Sequence, residues 1–278
     1  MVTKLKNVED FRYERQLKYA KKWIDGPSDG PRRQFFAVIS WGAAATYWLS
    51  KILNVHPEIF CLHAMNLAIT FDKERRIFPR NDSLEYLYLI ARTANVYNAI
   101  GDVHGMSQYD IPEIRQLLGD RFNAAVVVRD PLPRLKSTIS HFQLDSEYKL
   151  YNVDYIDDII KNRNLVLPHN DYAEKLFVHG VNMLNAVIEE ANVGKIYRSE
   201  DLTTNGSILS EFIEEITRGA IKTESELLDT MLKIGRVNVH VKKEIQFDDW
   251  QIDIIKSVVS DKAWELYANV GYDKPSFL

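Results

Sequence analysis

The stretch FFAVISWGAAATYWLSKILNVHP, residues 35–57, constrains the fold most, because it combines a buried strand, a turn of small residues and a helix. FFAVIS is a continuous apolar run, which predicts a strand covered on both faces. From Thr46 onward, apolar residues recur at helical spacing, and Pro57 lies beyond the end of that helix. A unit of this kind is typical of a parallel sheet with helices on both faces.

The same alternation of strand and helix continues along the chain. Further strands are predicted at EIFCLHA (58–64), YNAIGDVHG (97–105), NAAVVVRDP (123–131) and GKIYRSEDL (194–202). Apolar spacing predicts helices at 82–96, 111–120, 131–142, 171–192, 207–233 and 248–268. This order predicts an α/β fold of three layers, with a central parallel sheet of about five strands between helices. In such sheets, ligands bind at the carboxyl ends of the strands.

The chain is predicted to be a single domain over residues 1–278, because no shift of composition divides it. Residues 1–31 are predicted to form an amino-terminal helix and a linker rich in Gly, Pro and Asp. Residues 64–82 and 143–170 are predicted to be insertions near the edge of the sheet where a substrate would bind.

Composition excludes several classes of function. The net charge of −4 argues against a general nucleic-acid-binding protein. The single cysteine, Cys61, forms no internal disulfide, and the histidines lack the spacing of metal ligands, so we expect a reducing compartment and no metal. No apolar run approaches the roughly 18 residues that span a bilayer, and the charged amino terminus is unlike a signal peptide. We therefore expect a cytoplasmic monomer or homodimer, with no membrane or nucleic-acid partner.

Small residues after the first strand predict an anion-binding loop. A helix N-terminus presents N–H groups without helical partners and about half a positive charge. Gly42, Ala43, Ala44 and Ala45 let a ligand approach those groups, and Thr46 adds a hydroxyl donor. The same residues would also suit a close-packed turn without a ligand. The stretch does not match G-x-x-x-x-G-K-[ST], so a standard nucleotide hydrolase is not expected.

A second candidate anion site follows the strand at 123–131. Arg129 ends that strand, and Ser137 follows eight residues later on the next helix. An arginine at the carboxyl end of a strand points into the ligand crevice, where its planar fork suits a phosphate. Arg134 and Lys136 add positive charge nearby. The alternative is a solvated basic helix, with Arg129 paired to a carboxylate.

Together, the two stretches resemble the sulfotransferases that use 3′-phosphoadenylyl sulfate (PAPS). GAAATYWLSKILNVHP is similar to the first motif of that family from Thr46 to Pro57. Arg129 and Ser137 match the arginine and serine that hold the cofactor's 3′-phosphate in the family's second motif. The resemblance implies a P-loop-like fold, PAPS as co-substrate, adenosine 3′,5′-bisphosphate (PAP) as product, and no metal.

Two later segments extend the resemblance, which covers residues 35 to about 250 in the family's order. IYRSEDLTTN (196–205) resembles a strand that places Ser199 near the adenine. IGRVNVHVKK (234–243) resembles a basic loop that closes over the 3′-phosphate, with Arg236 as a further contact.

The resemblance also implies roles for the first motif. The backbone amides of Ala44, Ala45, Thr46 and Tyr47, with the Thr46 hydroxyl, would seat the phosphosulfate. Trp48 falls on the family tryptophan that packs by the adenine.

The loop departs from the family in its charge. The family's lysine or arginine falls on Ala43 and its glycine on Ala45, and in relatives that cation helps to stabilise the leaving phosphate. A helix N-terminus stabilises an anion by roughly 0.3–1 kcal/mol, and a charged hydrogen bond contributes about 1.5–3 kcal/mol. Binding can therefore survive on the amides, but the catalytic charge must come from elsewhere. The candidates are Lys51, Arg32, Arg33, Lys136, Arg236 or a cation on the substrate.

Sulfuryl transfer also needs a base for the proton of the acceptor. AIGDVHG (99–105) ends a predicted strand and offers both His104 and Asp102. His104 titrates near neutrality, and Asp102 could orient it or act as the base itself. Neither of the family's two base motifs is matched in full. Val103 stands where the motif with a carboxylate base has a lysine, and Asp102 stands where the motif with a histidine base has one. A histidine with a structural role alone is the remaining alternative.

The sequence therefore predicts an enzyme that moves a sulfuryl group from PAPS to a hydroxyl or amine of a small molecule. A faint likeness to bacterial enzymes of secondary metabolism makes a cationic acceptor of the saxitoxin type one hypothesis, since DSEYKLYNVDYIDD (145–158) could form an acidic wall. Two alternatives are a binding protein that holds PAPS or PAP without efficient turnover, and a nucleotide-dependent kinase on a related fold. The kinase would need a loop lysine and magnesium ligands, which the sequence does not clearly show.

Overall fold

The computed structural model describes residues 33–40, 44–63, 96–104, 111–144, 153–235 and 246–277. Several predictions fall outside these ranges. They are the amino-terminal helix and linker, the insertion at 64–82, nearly all of the helix at 82–96, Ala43, and Arg236 with most of its basic loop.

Within the described residues, five strands form one sheet. They are β1 (Gln34–Ile39), β2 (Ile59–His63), β3 (Ala99–Val103), β4 (Phe122–Val128) and β5 (Lys195–Arg198). Their order across the sheet is β2-β3-β1-β4-β5, which places the first strand at the centre. β3 runs parallel to both of its neighbours, with Asp102 opposite Ala37 of β1 and Leu62 of β2. The prediction of a parallel α/β sheet of about five strands flanked by helices is confirmed.

Helices fill most of the remaining described chain. They are α1 (Thr46–Leu53), α2 (Ile111–Leu118), α3 (Pro131–Leu144), α4 (Val153–Asn162), α5 (Tyr172–Asn182), α6 (Val187–Glu190), α7 (Ser199–Leu202), α8 (Gly206–Ile216), α9 (Ser225–Lys233), α10 (Asp249–Val258) and α11 (Asp261–Asn269). None of these helices is long and apolar enough to cross a bilayer.

Two predicted elements differ in their bounds from the observed ones. The single helix predicted at 171–192 is interrupted, because a 3₁₀ turn at Met183–Ala186 tightens the backbone between α5 and α6. The strand predicted at 194–202 ends at Arg198, and Ser199 instead opens the short helix α7.

The central strands are buried because they are continuous runs of apolar residues, and the same runs predicted them. Phe35 and Phe36 of β1 are fully buried, as is most of β4. The ring of Phe36 packs over Gly101 of β3, where an added Cβ would lie 2.3 Å from a ring carbon. Glycine is therefore required at this position of β3 by the close approach of a neighbouring side chain.

By its internal packing the chain divides into two compact units. The first unit contains the described parts of Met1–Ile39, Thr46–Ala125 and Leu202–Gly235. The second unit contains the described parts of Ser40–Ala45, Val126–Asp201 and Arg236–Leu278. The segment that follows β1 therefore belongs to the same unit as the segment that follows β4.

Arg134 has a structural role in the second unit. It is only 2% exposed, and its Nη1 donates to the Tyr267 hydroxyl at 3.2 Å. That hydroxyl donates in turn to the Leu184 carbonyl oxygen at 3.1 Å. Arg134, which was predicted to add positive charge near the phosphate site, therefore lies in a buried contact that joins α3 to α11.

Candidate active site

The loop after β1 ends in a residue with an unusual backbone. Ala45 has a φ of 60°, in the left-handed region that residues with a Cβ rarely adopt. It immediately precedes α1, whose first amides have no acceptor within the helix. A left-handed residue beside such amides is one component of the backbone concavities that bind anions, and strained residues of this kind cluster at functional sites.

Thr46, the first residue of α1, hydrogen-bonds a histidine that sequence reasoning missed. His63 ends β2, and its Nε2 lies 3.0 Å from Thr46 Oγ1. Tyr47 packs edge to face with the His63 imidazole, the ring centroids being 5.5 Å apart. Lys51, one turn further along α1, lies 4.4 Å above the Tyr47 ring. The available signal was the position of His63 at the carboxyl end of a strand that neighbours β3.

His104 lies beside His63, with 6.1 Å between the two ring centroids. Burial lowers the pKa of His63 to about 4, and the charge of nearby His104 contributes to this shift. His63 is therefore neutral at pH 7. Because a neutral imidazole carries one N–H and one bare nitrogen, its hydrogen bond with Thr46 can run in either direction.

The two predicted bases differ in their accessibility. His104 directly follows β3 with a φ of 66°, and its backbone N–H donates to the Val38 carbonyl oxygen at 2.9 Å. Asp102 lies within β3 and is only 1% exposed, whereas His104 is partly exposed. An acceptor molecule can reach a partly exposed ring more readily than a fully buried carboxylate, which favours His104 as the base.

Trp48 of α1 contacts the start of the late segment that resembles the family's basic loop. Its Nε1–H donates to the Ile234 carbonyl oxygen at 2.7 Å, and its side chain is 3% exposed. Two motifs that are 186 residues apart in the chain are therefore joined by a direct hydrogen bond.

In the second unit, Arg129 follows β4 and Ser137 lies on α3, and both are partly exposed. The turn between them is held by Asp130, whose carboxylate accepts from the Leu132 N–H at 3.2 Å. Burial raises the pKa of Asp130, and the nearby Glu200 adds to this rise. The turn fixes the start of the helix that carries Ser137 directly after the strand end that carries Arg129.

Ser199 belongs to a polar cluster around Glu200. The Ser199 hydroxyl donates to Glu200 Oε2 at 3.2 Å, and the Tyr272 hydroxyl donates to the same oxygen at 2.6 Å. Burial and this carboxylate raise the pKa of Tyr272. The residue predicted to lie near the adenine is therefore buried and held by a neighbouring carboxylate.

The described candidates for the missing loop charge occupy different places. Arg33 precedes β1, so the six residues of that strand, roughly 20 Å in length, separate it from the loop. Lys51 lies over the Tyr47 ring, and Lys136 lies 5.3 Å above the Phe247 ring. Arg33 is excluded by its position at the wrong end of the strand.

Comparison with solved structures finds the chain similar to two sulfotransferases. One, from Alicyclobacillus acidocaldarius, aligns with a TM-score of 0.48 at 12% identity, over 88% of this chain and 98% of that one. The other, mouse SULT7A1 complexed with PAP, aligns with a TM-score of 0.40 at 10% identity, over 80% of this chain and 68% of that one. Neither a family model nor a curated protein matches the chain. Both structures belong to the class that the sequence motifs resemble, but at this level of similarity they carry no argument about activity or substrate.

Proposed function

We propose that the chain is a PAPS-dependent sulfotransferase that moves a sulfuryl group to a hydroxyl or amine of a small molecule. The observation that carries this proposal is the divergence of the chain after β1 and β4. After β1 the chain continues to β2 at one edge of the sheet, and after β4 it continues to β5 at the other edge. Open α/β sheets bind ligands outside the carboxyl ends of strands where the connections diverge in this way.

The donor groups at these positions suit a ligand with two anionic groups. In the proposal, the first amides of α1 and the Thr46 hydroxyl seat the phosphosulfate, and Arg129 with Ser137 holds the 3′-phosphate. Amides, hydroxyls and a guanidinium all donate hydrogen bonds to an anion, so the set fits PAPS. Arg236 and Ala43 retain their proposed contacts as predictions from the sequence. Among the described residues, no group of three or more His, Cys, Asp or Glu side chains could hold a metal ion.

His104 is the proposed base. The oxygen or nitrogen of the acceptor attacks the sulfur atom, and the proton of that oxygen or nitrogen passes to a ring nitrogen of His104. As the new bond to sulfur forms, the old bond between sulfur and the phosphate oxygen breaks. The electron pair of that bond stays on the phosphate of PAP, where the amides of α1 and the Thr46 hydroxyl stabilise it.

The acceptor is proposed to be a small molecule, and the saxitoxin-type cation stays one hypothesis for it. Of the acidic stretch at 145–158, the structure describes residues 153–158, which form the first part of α4. Asp157 lies 2.7 Å from the ammonium of Lys175, so its charge is already paired. A cationic acceptor would therefore have to be recognised by other acidic residues.

A binding experiment with one variant and a matched control tests the nucleotide site. Arg129→Ala should weaken PAP binding by about 10- to 150-fold, because it removes a charged hydrogen bond that contributes roughly 1.5–3 kcal/mol. Arg121→Ala is the control, because Arg121 precedes β4 and Arg129 follows it, at opposite ends of the strand. Isothermal titration calorimetry should show wild-type binding of PAP and none of ATP. Equal losses in the two variants, or binding of ATP in preference to PAP, would overturn the proposal.

Turnover separates the enzyme from a protein that only binds the nucleotide. Labelled PAPS and a panel of hydroxyl and amine acceptors should yield a labelled sulfated product. PAP binding without any such product would favour the binding protein over the sulfotransferase.

A further inference from the structure

We propose that His63 is a positioning residue for Thr46, and that below about pH 6 it takes up a proton when the phosphosulfate binds, which adds positive charge beside a loop that has no cation at position 43. The inference rests on the proposed function, because it assumes an anion at the first turn of α1. It begins from the 3.0 Å contact between His63 Nε2 and Thr46 Oγ1, which joins a titratable ring to the first residue after the loop.

The protonation state of His63 determines the direction of this hydrogen bond, and through it the orientation of the Thr46 hydroxyl. When both nitrogens of His63 carry protons, Nε2 can only donate, so Thr46 Oγ1 must accept. The proton of the Thr46 hydroxyl must then go to a different acceptor. An oxygen of the bound phosphosulfate is such an acceptor, so a protonated His63 orients the hydroxyl toward the ligand.

The electrostatic surroundings of His63 explain why uptake requires the anion. Burial and His104 lower its pKa to about 4 in the free protein, so that the ring is neutral at pH 7. An opposite charge within about 4–6 Å favours the charged form and raises a pKa by roughly 1–3 units. The titratable groups on the elements that pack against His63 are Tyr47 and Lys51 of α1, Asp102 and His104 at the end of β3, and Cys61 of β2 itself.

Of these groups, His104 opposes protonation of His63, because its charge lowers the pKa of the His63 ring. Burial and the Asp102 charge raise the pKa of Cys61 well above its ordinary value, so its thiol stays uncharged and contributes nothing. The bound anion therefore raises the protonated fraction of His63, by an amount that depends on the pH.

The expected proton uptake follows from a rise of the pKa by about 2 units, the middle of the range, from about 4 to about 6. PAP binding then adds about 0.8 proton to His63 at pH 5 and about 0.1 at pH 7. The sign follows from linkage, because a group whose pKa is higher in the complex strengthens binding below that pKa. Protonation of His63 should therefore strengthen PAP binding about tenfold at pH 5, and it should contribute almost nothing to the affinity above pH 7.

Calorimetry of PAP binding in buffers of different ionisation enthalpy measures this uptake. His63→Gln keeps an amide N–H that can reach Thr46 but cannot titrate, so it should bind PAP about tenfold more weakly than wild type at pH 5 and equally at pH 7.5. His169→Gln, which alters an exposed histidine of the second unit, should behave as wild type at both values. Protonation of free PAP cancels in this comparison, because each protein receives the same ligand.

The outcomes separate this inference from the proposed function. If wild type does not bind PAP, the sulfotransferase proposal fails and this inference fails with it. If wild type binds PAP but His63→Gln shows the same uptake and pH dependence, only this inference is overturned. If His63→Gln does not fold, histidine ring resonances of the wild type decide, because the titration of His63 near pH 4 must shift upward with PAP. The pKa of His179 also lies near 4, so the resonance that disappears in His179→Gln is assigned to His179 and the other one to His63.

Discussion

Replacing Ala45 with glycine should stabilise the protein, because Ala45 is held at a φ of 60°. A left-handed conformation disfavours a residue with a Cβ by roughly 1–2 kcal/mol, and glycine avoids this strain. Glycine also gives the unfolded chain more freedom, which lowers stability by about 0.5–1 kcal/mol. The difference predicts a gain in the free energy of unfolding centred near 0.7 kcal/mol, with an upper limit of about 1.5 kcal/mol. Urea unfolding followed by circular dichroism measures it as a higher midpoint with an unchanged m-value.

Ala186→Gly is the matched control for the Ala45 experiment. Ala186 has a φ of −59° and is partly exposed, so glycine relieves no strain there and should destabilise by about 0.5–1 kcal/mol. PAP affinity should be unchanged in Ala45→Gly, because the amides that donate to the anion remain. A loss of stability in Ala45→Gly equal to that in Ala186→Gly would refute the left-handed loop and the anion seat argued from it.

Two further predictions concern packing and pH. Gly101→Ala should lower the free energy of unfolding by about 3 kcal/mol, the upper end of the range for overpacked cores, because the new Cβ would clash with the Phe36 ring. Thermal unfolding measures this loss. Gly206→Ala is the control, because its Cβ would meet nothing closer than 3.6 Å. Burial lowers the pKa of His63 and of His179 to about 4, so the unfolded chain binds more protons between about pH 6.5 and 4, and stability should fall as the pH drops through that window. His179→Gln should flatten this dependence in urea unfolding, and an unchanged slope would contradict the assigned burial of the ring.

The strands could be predicted because burial on both faces leaves a local signature. β1 and β4 are runs of apolar residues, and such runs need no knowledge of their neighbours to be recognised. The shorter β2 and β3 were also predicted, within the stretches 58–64 and 97–105. The break at Met183–Ala186 was missed, because the apolar spacing continues through a 3₁₀ turn without interruption.

The candidate site was less predictable, because it depends on pairings between distant segments. Nothing near His63 in the sequence indicates a partner 17 residues away, and the pairing arises only when α1 packs against β2. The backbone of Ala45 was equally hidden, since alanine gives no sign of a positive φ. The burial of Arg134 was hidden as well, because nothing near it in the sequence indicates that a basic residue of α3 contacts Tyr267, 133 residues away.

The closeness of His63 and His104 limits what the two rings can do together. With 6.1 Å between the ring centroids, a proton on one ring disfavours a proton on the other. In the proposed reaction His104 must begin neutral to accept the proton of the acceptor, and below about pH 6 the bound anion also favours a proton on His63. As His104 becomes charged, the proton on His63 becomes less stable, at the stage when negative charge grows on the leaving phosphate. Because the two rings interact, the pKa values in a pH–rate profile would belong to the pair rather than to either histidine.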